Sequence, residues 1–378
     1  MATPRALALT VLLAALLAGC GASPAGGERA GGGADAQSIQ HHAMRSAASD
    51  AVLVATLADD APGCSAAVGR DATVLWAGAR GLADLTAGTP LTTGTRFEVA
   101  SVSKQFTAAL VLSLARDGLL RLDDPVSTHV SGLPAWGRTV TLEQLLHHTA
   151  RLPDFWIELE AVGIGFSDPA DQQTVLAAIR RVDAPLDGTG YAYANSHYVL
   201  LAAAAESVTG EPFATALATR VLQPLGIEAT VEPALAAADI AVGHGVDSVP
   251  VTAAWAVAGP VGIVTTPSEL VRWAAQFAPG GLLAVADAGA VDSSAGATDA
   301  PDDDRPGERY GAGIRIAADG TLFHAGRWGG SVSVVRVSAD RELAIAVTCN
   351  QRDAPRMELA DTLTELWVGA GHTPGSAP

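Results

Sequence analysis

Lysine is almost absent from this chain. The 23 basic side chains comprise one lysine, Lys104, and otherwise arginine. Arginine keeps its proton at any accessible pH, whereas a lysine that is desolvated or placed beside another cation can lose it. A lone lysine therefore attracts interest wherever a reaction needs a proton to come and go. Composition bias with one chance survivor is the alternative explanation.

Positive charge as a whole is scarce and forms no cluster. The 23 Lys and Arg residues face 40 Asp and Glu residues, which gives a net charge of −17 at pH 7. Nucleic acids and anionic membrane surfaces attract proteins through basic clusters. We therefore expect no nucleic-acid partner and no electrostatic attachment to a membrane.

A long hydrophobic run is also lacking. The apolar stretch "ALALTVLLAALLA" follows Arg5 and is too short to span a bilayer, which is typical of a signal peptide. It ends in "LAGC", Leu17 to Cys20, which resembles the lipobox of bacterial lipoproteins and implies an acylated Cys20. A plain cleaved secretory signal is the alternative. We expect a signal peptide over 1–20, a flexible Gly/Ala-rich tether over 21–44, and an exported protein anchored to the membrane of the cell envelope by lipid alone.

The remainder, residues 45–372, is predicted to be one domain of mixed α/β (α+β) class. The segment "CSAAVGRDATVLWAGARG" reads as a β-hairpin, and a long apolar helix follows from Ser101 to Asp117. Three strand-like runs, "TLFHAG", "SVSVVRVSA" and "ELAIAVTCN", precede a C-terminal helix. This order predicts a five-stranded antiparallel sheet built from both chain ends, flanked by helices, with an inserted all-helical subdomain.

Ser101 and Lys104 lie in the order Ser-x-x-Lys where extended chain turns into helix. A spacing of three places both side chains on one helix face, and the helix N-terminus favours negative charge there. A neutral lysine could then accept the serine proton and make the hydroxyl a nucleophile. An N-cap serine followed by an ordinary lysine is the alternative.

Two further short motifs carry polar groups suited to catalysis. Tyr193-Ala-Asn195 precedes a helix, and a tyrosine beside a cation can have a depressed pKa and share proton transfer. Asn195 could donate to a substrate carbonyl and orient the lysine. His324-Ala-Gly326 lies on the first late strand, where small residues allow close approach of a substrate backbone. The N–H of Arg327 is a candidate oxyanion donor beside that of Ser101.

Taken in this order, the three motifs resemble those of the serine β-lactamase and penicillin-binding-protein superfamily, and most closely its class C β-lactamase-like branch. "VTLEQLLHHTARLPDF" and "YVLLAAAAESVTGEPF" also resemble segments of that family. The resemblance implies that Ser101 is the acylated nucleophile and Lys104 its activating partner. It further implies that Tyr193 protonates the leaving group and that Asn195, His324, Gly326 and Arg327 bind substrate.

The chain departs from the family pattern at two informative positions. His324 stands where many members carry the lysine of Lys-Thr-Gly, and a histidine is mostly neutral at pH 7. This favours an esterase or peptidase over a β-lactamase. Arg327 is a candidate to replace the lysine as the partner of a substrate anion. Arg151 stands where the family has glycine, which puts the local turn in doubt.

The resemblance also places the two cysteines that follow Cys20. In this family the first strand pairs antiparallel with the last, so that Cys64 and Cys349 should lie close together. We expect a disulfide between them, because an exported protein meets oxidising conditions that permit one. Two separate buried thiols are the alternative.

We therefore expect a monomeric serine hydrolase that acts on small esters, D-amino-acid peptides or amides, or β-lactams, without metal or organic cofactor. A true β-lactamase or a DD-carboxypeptidase acting on cell-wall peptides is one alternative. A non-catalytic binding protein on the same fold is an alternative of another class.

Overall fold

The computed structural model describes residues 32–232, 234–235, 239–251, 255–294 and 307–368. The predicted signal peptide, Cys20 and the acidic run Asp302 to Asp304 lie outside this part of the chain. Within it, no helix combines the length and apolar character needed to cross a bilayer.

Fifteen strands are present in the described residues, and many have only two or three residues. Their bounds are β1 Cys64–Arg70, β2 Thr73–Arg80, β3 Leu82–Asp84, β4 Thr89–Pro90, β5 Phe97–Glu98, β6 Ala170–Asp171, β7 Thr230–Val231, β8 Trp255–Ala256, β9 Ile263–Thr265, β10 Val291–Asp292, β11 Arg309–Tyr310, β12 Arg315–Ile316, β13 Leu322–Trp328, β14 Ser331–Val337 and β15 Leu343–Cys349.

Ten α-helices accompany them in the same residues. Their bounds are α1 Gly32–Thr56, α2 Ser103–Arg116, α3 Leu142–Leu146, α4 Phe155–Ala161, α5 Gln172–Ile179, α6 Asn195–Thr209, α7 Phe213–Leu217, α8 Gln223–Leu225, α9 Pro267–Trp273 and α10 Arg356–Val368. A 3₁₀ turn, Ala100–Val102, leads into α2.

The main sheet joins the two ends of the chain, as predicted. Its strand order is β10-β11-β12-β13-β14-β15-β1-β2, and all neighbours pair antiparallel. The prediction of five strands is too low, because the two-residue strands β10, β11 and β12 extend the edge beside β13. Pairs this short leave no alternating pattern in the sequence.

The pairing of β1 with β15 sets Cys64 directly opposite Cys349. The two residues form a disulfide that links positions 285 residues apart. The expected bridge is therefore confirmed, and it joins the two ends of the chain within the sheet.

The sheet separates two apolar cores, because successive side chains of a strand point to opposite faces. Leu53 of α1 and Leu363 of α10 pack with Val332 and Val347 on one face. Val335 faces the other side, where the larger core holds α2, α6 and α9. This second face carries the residues of the candidate site.

The region inserted between β2 and β13 is rich in helices but is not all-helical, which corrects the prediction. Strands β5, β9 and β7 form one small sheet, and β6 pairs with β8 in another. The β5–β9 pair matters most, because it fixes the chain just before Ser101.

The segment that precedes residue 45 is not the extended tether that the sequence predicts. The described residues divide into two units between Ala43 and Met44. Helix α1 begins at Gly32, so residues 32–44 of the expected tether are helical. After Gly33 this stretch contains neither glycine nor proline, so nothing in the sequence stops the helix from extending towards the N-terminus.

Candidate active site

A buried carboxyl holds the turn that presents Ser101. Glu98 is 1% exposed, and its two oxygens accept the N–H of Ala100 at 2.9 Å and the N–H of Gly262 at 2.8 Å. Ala100 has φ +51°, a left-handed conformation that is unusual for alanine and that the surrounding contacts must maintain. Burial raises the pKa of Glu98 to about 7, although both backbone hydrogen bonds lower it. Ser101 follows directly and is partly exposed.

Lys104 is fully buried one helical turn further on. Its Nζ lies 3.1 Å from Ser101 Oγ, 2.8 Å from Asn195 Oδ1 and 3.2 Å from the carbonyl oxygen of Pro260. Burial lowers the pKa of Lys104 to about 7. Nearby Asp154 and Glu98 oppose that shift, and Arg315 adds to it. The chain's single lysine can thus exist as a neutral amine near physiological pH.

Asn195 begins α6, and a carboxylate that the motif analysis overlooked fixes its orientation. The backbone N–H and the side-chain Nδ2 of Asn195 donate to Asp154 Oδ2 at 2.8 and 2.9 Å. The amide oxygen therefore faces Lys104, which is the lysine-orienting role that was expected. Asp154 lies in the quoted segment "ARLPDF", and a carboxyl just before a helix was the signal that could have drawn attention to it.

Tyr193 lies beside both residues of the first motif. Its ring centroid is 4.8 Å from Lys104 Nζ, and Ser101 acts to lower the pKa of its phenol. The expected depressed pKa is wrong. Burial raises the pKa of Tyr193 well above its ordinary value and outweighs the opposing effects of Ser101 and Arg315. In the resting site Tyr193 is therefore a phenol that can donate a proton.

All four tyrosines of the chain surround one histidine, His148. The ring centroids lie 4.3 to 6.0 Å from that of His148 and belong to Tyr193, Tyr310, Tyr198 and Tyr191. His148 is fully buried and hydrogen-bonds His197. Its imidazole supports the ring of Tyr193 from behind.

A second buried histidine determines how His148 is protonated. His197 Nε2 accepts the N–H of Leu152 at 3.2 Å, so its proton is on Nδ1. That Nδ1–H donates to His148 Nδ1 at 2.7 Å. Burial holds the pKa of His148 well below its ordinary value and lowers that of His197 to about 3. Both rings are neutral, and no group of three potential metal ligands occurs among the described residues.

His324 is neutral, as expected, but it is not free to bind substrate. It is 2% exposed, its Nδ1 donates to the carbonyl oxygen of Ala325 at 2.7 Å, and its Nε2 lies 3.1 Å from Tyr310 Oη. Burial keeps the pKa of His324 well below its usual range, and Arg315 lowers it further. The expected direct substrate contact is therefore wrong, because both ring nitrogens have partners within the protein.

Gly326 allows β13 to approach the nucleophile turn. A Cβ at this position would lie 2.7 Å from Ala100 Cβ and 2.8 Å from the backbone nitrogen of Ser101. Contacts this short do not occur in folded proteins, so only glycine fits without displacing the turn. The glycine accommodates Ser101, whereas a substrate backbone was expected.

Arg327 is exposed at the end of β13. Because side chains alternate along a strand, the guanidinium faces away from the side shared by His324, Gly326 and Trp328. Ser101 lies on that shared side. The side chain is thus badly placed to replace the missing anion partner, and only the backbone N–H of Arg327 remains a candidate substrate contact.

A buried ion pair completes the site. Arg315 and Glu308 are 3% and 1% exposed and pair directly. The Arg315 guanidinium carbon lies 6.0 Å from the centroid of Tyr193 and 5.9 Å from that of Tyr310. Sequence reasoning missed this pair, since an arginine in a short strand near an acidic loop resembles a surface residue.

Arg151 occupies a turn at a position where the family has glycine. Arg151 has φ +54°, the conformation that glycine adopts most readily. Its guanidinium donates to the carbonyl oxygens of Leu186 and Asp187. These bonds tie the turn to the loop that leads to Tyr193, which offsets the strain of a non-glycine residue.

A protein-family comparison fits this geometry. The model described as Beta-lactamase matches residues 50–366. The chain belongs to the beta-lactamase family. This confirms the resemblance drawn from the three motifs and places the chain in a family of serine hydrolases.

Relatives and solved structures show the range within this family. Esterase EstB of Burkholderia gladioli is 38% identical over 181 residues, which cover 44% of this chain and 45% of the esterase. A D-aminopeptidase of Brucella anthropi is 29% identical over 220 residues, which cover 56% of this chain and 42% of the peptidase. The chain spans less than half the length of the curated relatives it matches. The crystal structure of SurE is 27% identical with a TM-score of 0.69, covering 90% of this chain and 79% of SurE.

Proposed function

We propose that the protein hydrolyses small esters or D-amino-acid amides through an acyl-enzyme on Ser101. Its substrates carry no carboxylate group by which they are recognised. The hydrogen bonds of Lys104 carry this proposal. A neutral amine has two N–H donors and one lone pair. Asn195 Oδ1 and the Pro260 carbonyl can only accept, so they use both donors. The lone pair is left facing Ser101 Oγ, 3.1 Å away, where it can take the hydroxyl proton.

Acylation then proceeds by proton transfer through two side chains. Lys104 takes the proton from Ser101 as Oγ bonds to the substrate carbonyl carbon. As the tetrahedral intermediate collapses, Tyr193 donates its phenolic proton to the leaving oxygen or nitrogen. Lys104 returns a proton to Tyr193, which leaves both residues as they began. In deacylation the same groups activate a water, which releases the acid and restores Ser101.

Two backbone N–H groups are positioned to hold the oxyanion. One belongs to Ser101 at the start of the helical segment. The other belongs to Arg327, which pairs with Val332 next to the closing pair Trp328–Ser331 of a two-residue turn. Hydrogen-bonded and non-bonded pairs alternate in an antiparallel ladder, so the N–H of Arg327 points away from β14. It is therefore available to a substrate.

The substrate class follows from the absence of a cation at His324. In this chain that imidazole is buried and neutral, and the Arg327 side chain faces the opposite side of β13. A β-lactam, or a peptide recognised through its terminal carboxylate, would find no positively charged side chain at this position. The named relatives, an esterase and a D-aminopeptidase, support the remaining substrate classes.

Covalent labelling tests the proposal. A fluorophosphonate probe should label the wild-type protein at Ser101, and Ser101→Ala should abolish both labelling and the hydrolysis of p-nitrophenyl acetate. Ser294→Ala, which changes an exposed serine, is the matched control and should behave as wild type. A folded wild-type protein that takes no label and hydrolyses neither esters nor D-aminoacyl amides would contradict the proposal and favour a non-catalytic binding protein.

A further inference from the structure

Four aromatic side chains form a continuous row near the candidate site. Neighbouring ring centroids are 5.7 Å apart for Phe155 and Trp255, 4.9 Å for Trp255 and Phe166, and 5.3 Å for Phe166 and Trp328. Aromatic residues make up only 5% of the chain, so the row concentrates a scarce residue type. It connects the helix-rich insertion to the end of β13.

Both ends of the row are adjacent to residues of the site. Phe155 follows Asp154, whose carboxylate holds Asn195. Trp328 lies two residues after Gly326 on the same face of β13, and that face contacts the turn of Ser101. The row therefore borders the space in front of the nucleophile.

Of the two central rings in the row, Trp255 is buried and anchored, and Phe166 is open to solvent. Trp255 is 2% exposed, and its indole N–H donates to the carbonyl oxygen of Gly165 at 3.2 Å. This bond anchors the loop that carries Phe166, whose side chain is 43% exposed. An exposed aromatic ring held in position is a surface on which an apolar group can be desolvated.

The two ends of β13 face different parts of a bound substrate. The ring centroid of Tyr193, the proton donor to the leaving group, is 6.4 Å from that of His324. Trp328 lies four residues after His324 along the strand, which is a distance of about 13 Å. With the carbonyl oxygen held by the N–H of Arg327, the leaving group occupies the His324 end and the acyl group extends towards Trp328.

We propose that Phe166 and Trp328, backed by Trp255, form an acyl-group subsite that takes an apolar and preferably aromatic acyl chain. This inference rests on the proposed function and narrows its substrates to esters and amides of aromatic or bulky apolar acids.

Two esters with the same leaving group test the subsite. With p-nitrophenyl phenylacetate, Phe166→Ala should lower kcat/KM roughly tenfold, because an aromatic contact and its buried area are lost. With p-nitrophenyl acetate, kcat/KM should stay within about twofold. Phe166→Leu should fall between these values, and Trp328→Ala should reproduce the selective loss.

Leu119→Ala is the matched control. This residue is exposed like Phe166 but follows the C-terminal end of α2, about 20 Å along the helix from Ser101, and should leave both esters unaffected. If Phe166→Ala lowers both rates equally, or neither, while hydrolysis still depends on Ser101, the subsite is wrong and the proposed function stands. If the Ser101→Ala variant still hydrolyses both esters at the wild-type rate, the proposed function is wrong. The subsite proposal, which rests on that function, is then wrong as well.

Discussion

Lys104 Nζ lies 2.8 Å from Asn195 Oδ1, although the two residues are 91 positions apart in the chain. The contact joins the Ser-x-x-Lys motif at the start of α2 to the Tyr-x-Asn motif at the start of α6. Asp154 accepts from Asn195 Nδ2 and so turns the amide oxygen towards the lysine. The arrangement fixes where the two N–H groups of a neutral Lys104 point, and hence where its lone pair points.

Gly326→Ala should lower kcat by about tenfold or more, because the new methyl group would displace the turn of Ala100 and Ser101. Steady-state kinetics with p-nitrophenyl acetate measure the effect, and circular dichroism checks that the fold is kept. The control is Gly94→Ala, where a Cβ would meet only Thr92 Oγ1 at 3.8 Å. Equal activity of the two variants would show that the close approach of β13 is unimportant.

Removing the cation of Arg315 should shift the pH dependence of the reaction. Arg315 lowers the pKa of Lys104 in addition to the larger effect of burial. In the double variant Arg315→Gln/Glu308→Gln, which leaves no unpaired buried charge, the acidic limb of kcat/KM should therefore move up by roughly half a pH unit. Arg315→Lys keeps the charge and should leave the limb near its wild-type position. If the acidic limb does not move in a folded double variant, Arg315 does not affect the protonation of Lys104.

Much of this architecture could be predicted from sequence, because it depends on local patterns. The strand-like runs of β13, β14 and β15 and the glycine that ends α2 are visible in the chain itself. At the start of α9 the sequence offers two residues of the kind that cap helices, Thr266 and Ser268. The Thr266 side chain accepts the N–H of Glu269, and Pro267 occupies the first turn. Both residues are suitable caps, and the proline should have decided between them.

The electrostatics could not be predicted in the same way. Burial raises the pKa of Tyr193. That burial comes with the packing of Tyr191, Tyr198 and Tyr310 around His148 beside it, which no local pattern records. Arg315 and Glu308 similarly become a buried pair only when β11 and β12 join the sheet edge. Desolvation is a property of the assembled core, so it appears only in three dimensions.

The double variant Cys64→Ala/Cys349→Ala should lower the free energy of unfolding by about 2–4 kcal/mol, because the disulfide closes a very long loop in the unfolded chain. Urea denaturation measures this loss, and wild type treated with reductant should match the variant. Activity at 25 °C should be unchanged, since the bridge lies at the β1–β15 pair. An unchanged denaturation midpoint would contradict a stabilising role for the bridge.

We propose that Cys20 is acylated and that its lipid anchors the protein to a membrane. Expressed in a bacterial host with residues 1–44 present, the wild type should incorporate labelled palmitate and sediment with membranes. Cys20→Ser should do neither, and Ser23→Ala should behave as wild type. A wild-type protein that is released unlabelled would instead indicate a plain secretory signal.

The most direct test of the account is the dependence of kcat/KM on pH. Lys104 must be neutral to accept the serine proton, so the rate should fall as pH drops through its pKa of about 7. Glu98 also has a pKa of about 7 and could by itself cause such a fall in rate. The pH profile of the Glu98→Gln variant is therefore measured as well, and kcat/KM should still fall on its acidic side. Lys104→Arg, which cannot deprotonate, should lose hydrolysis by about a thousandfold at every pH. A limb that disappears in Glu98→Gln, or an active Lys104→Arg variant, would contradict the central role of the lysine.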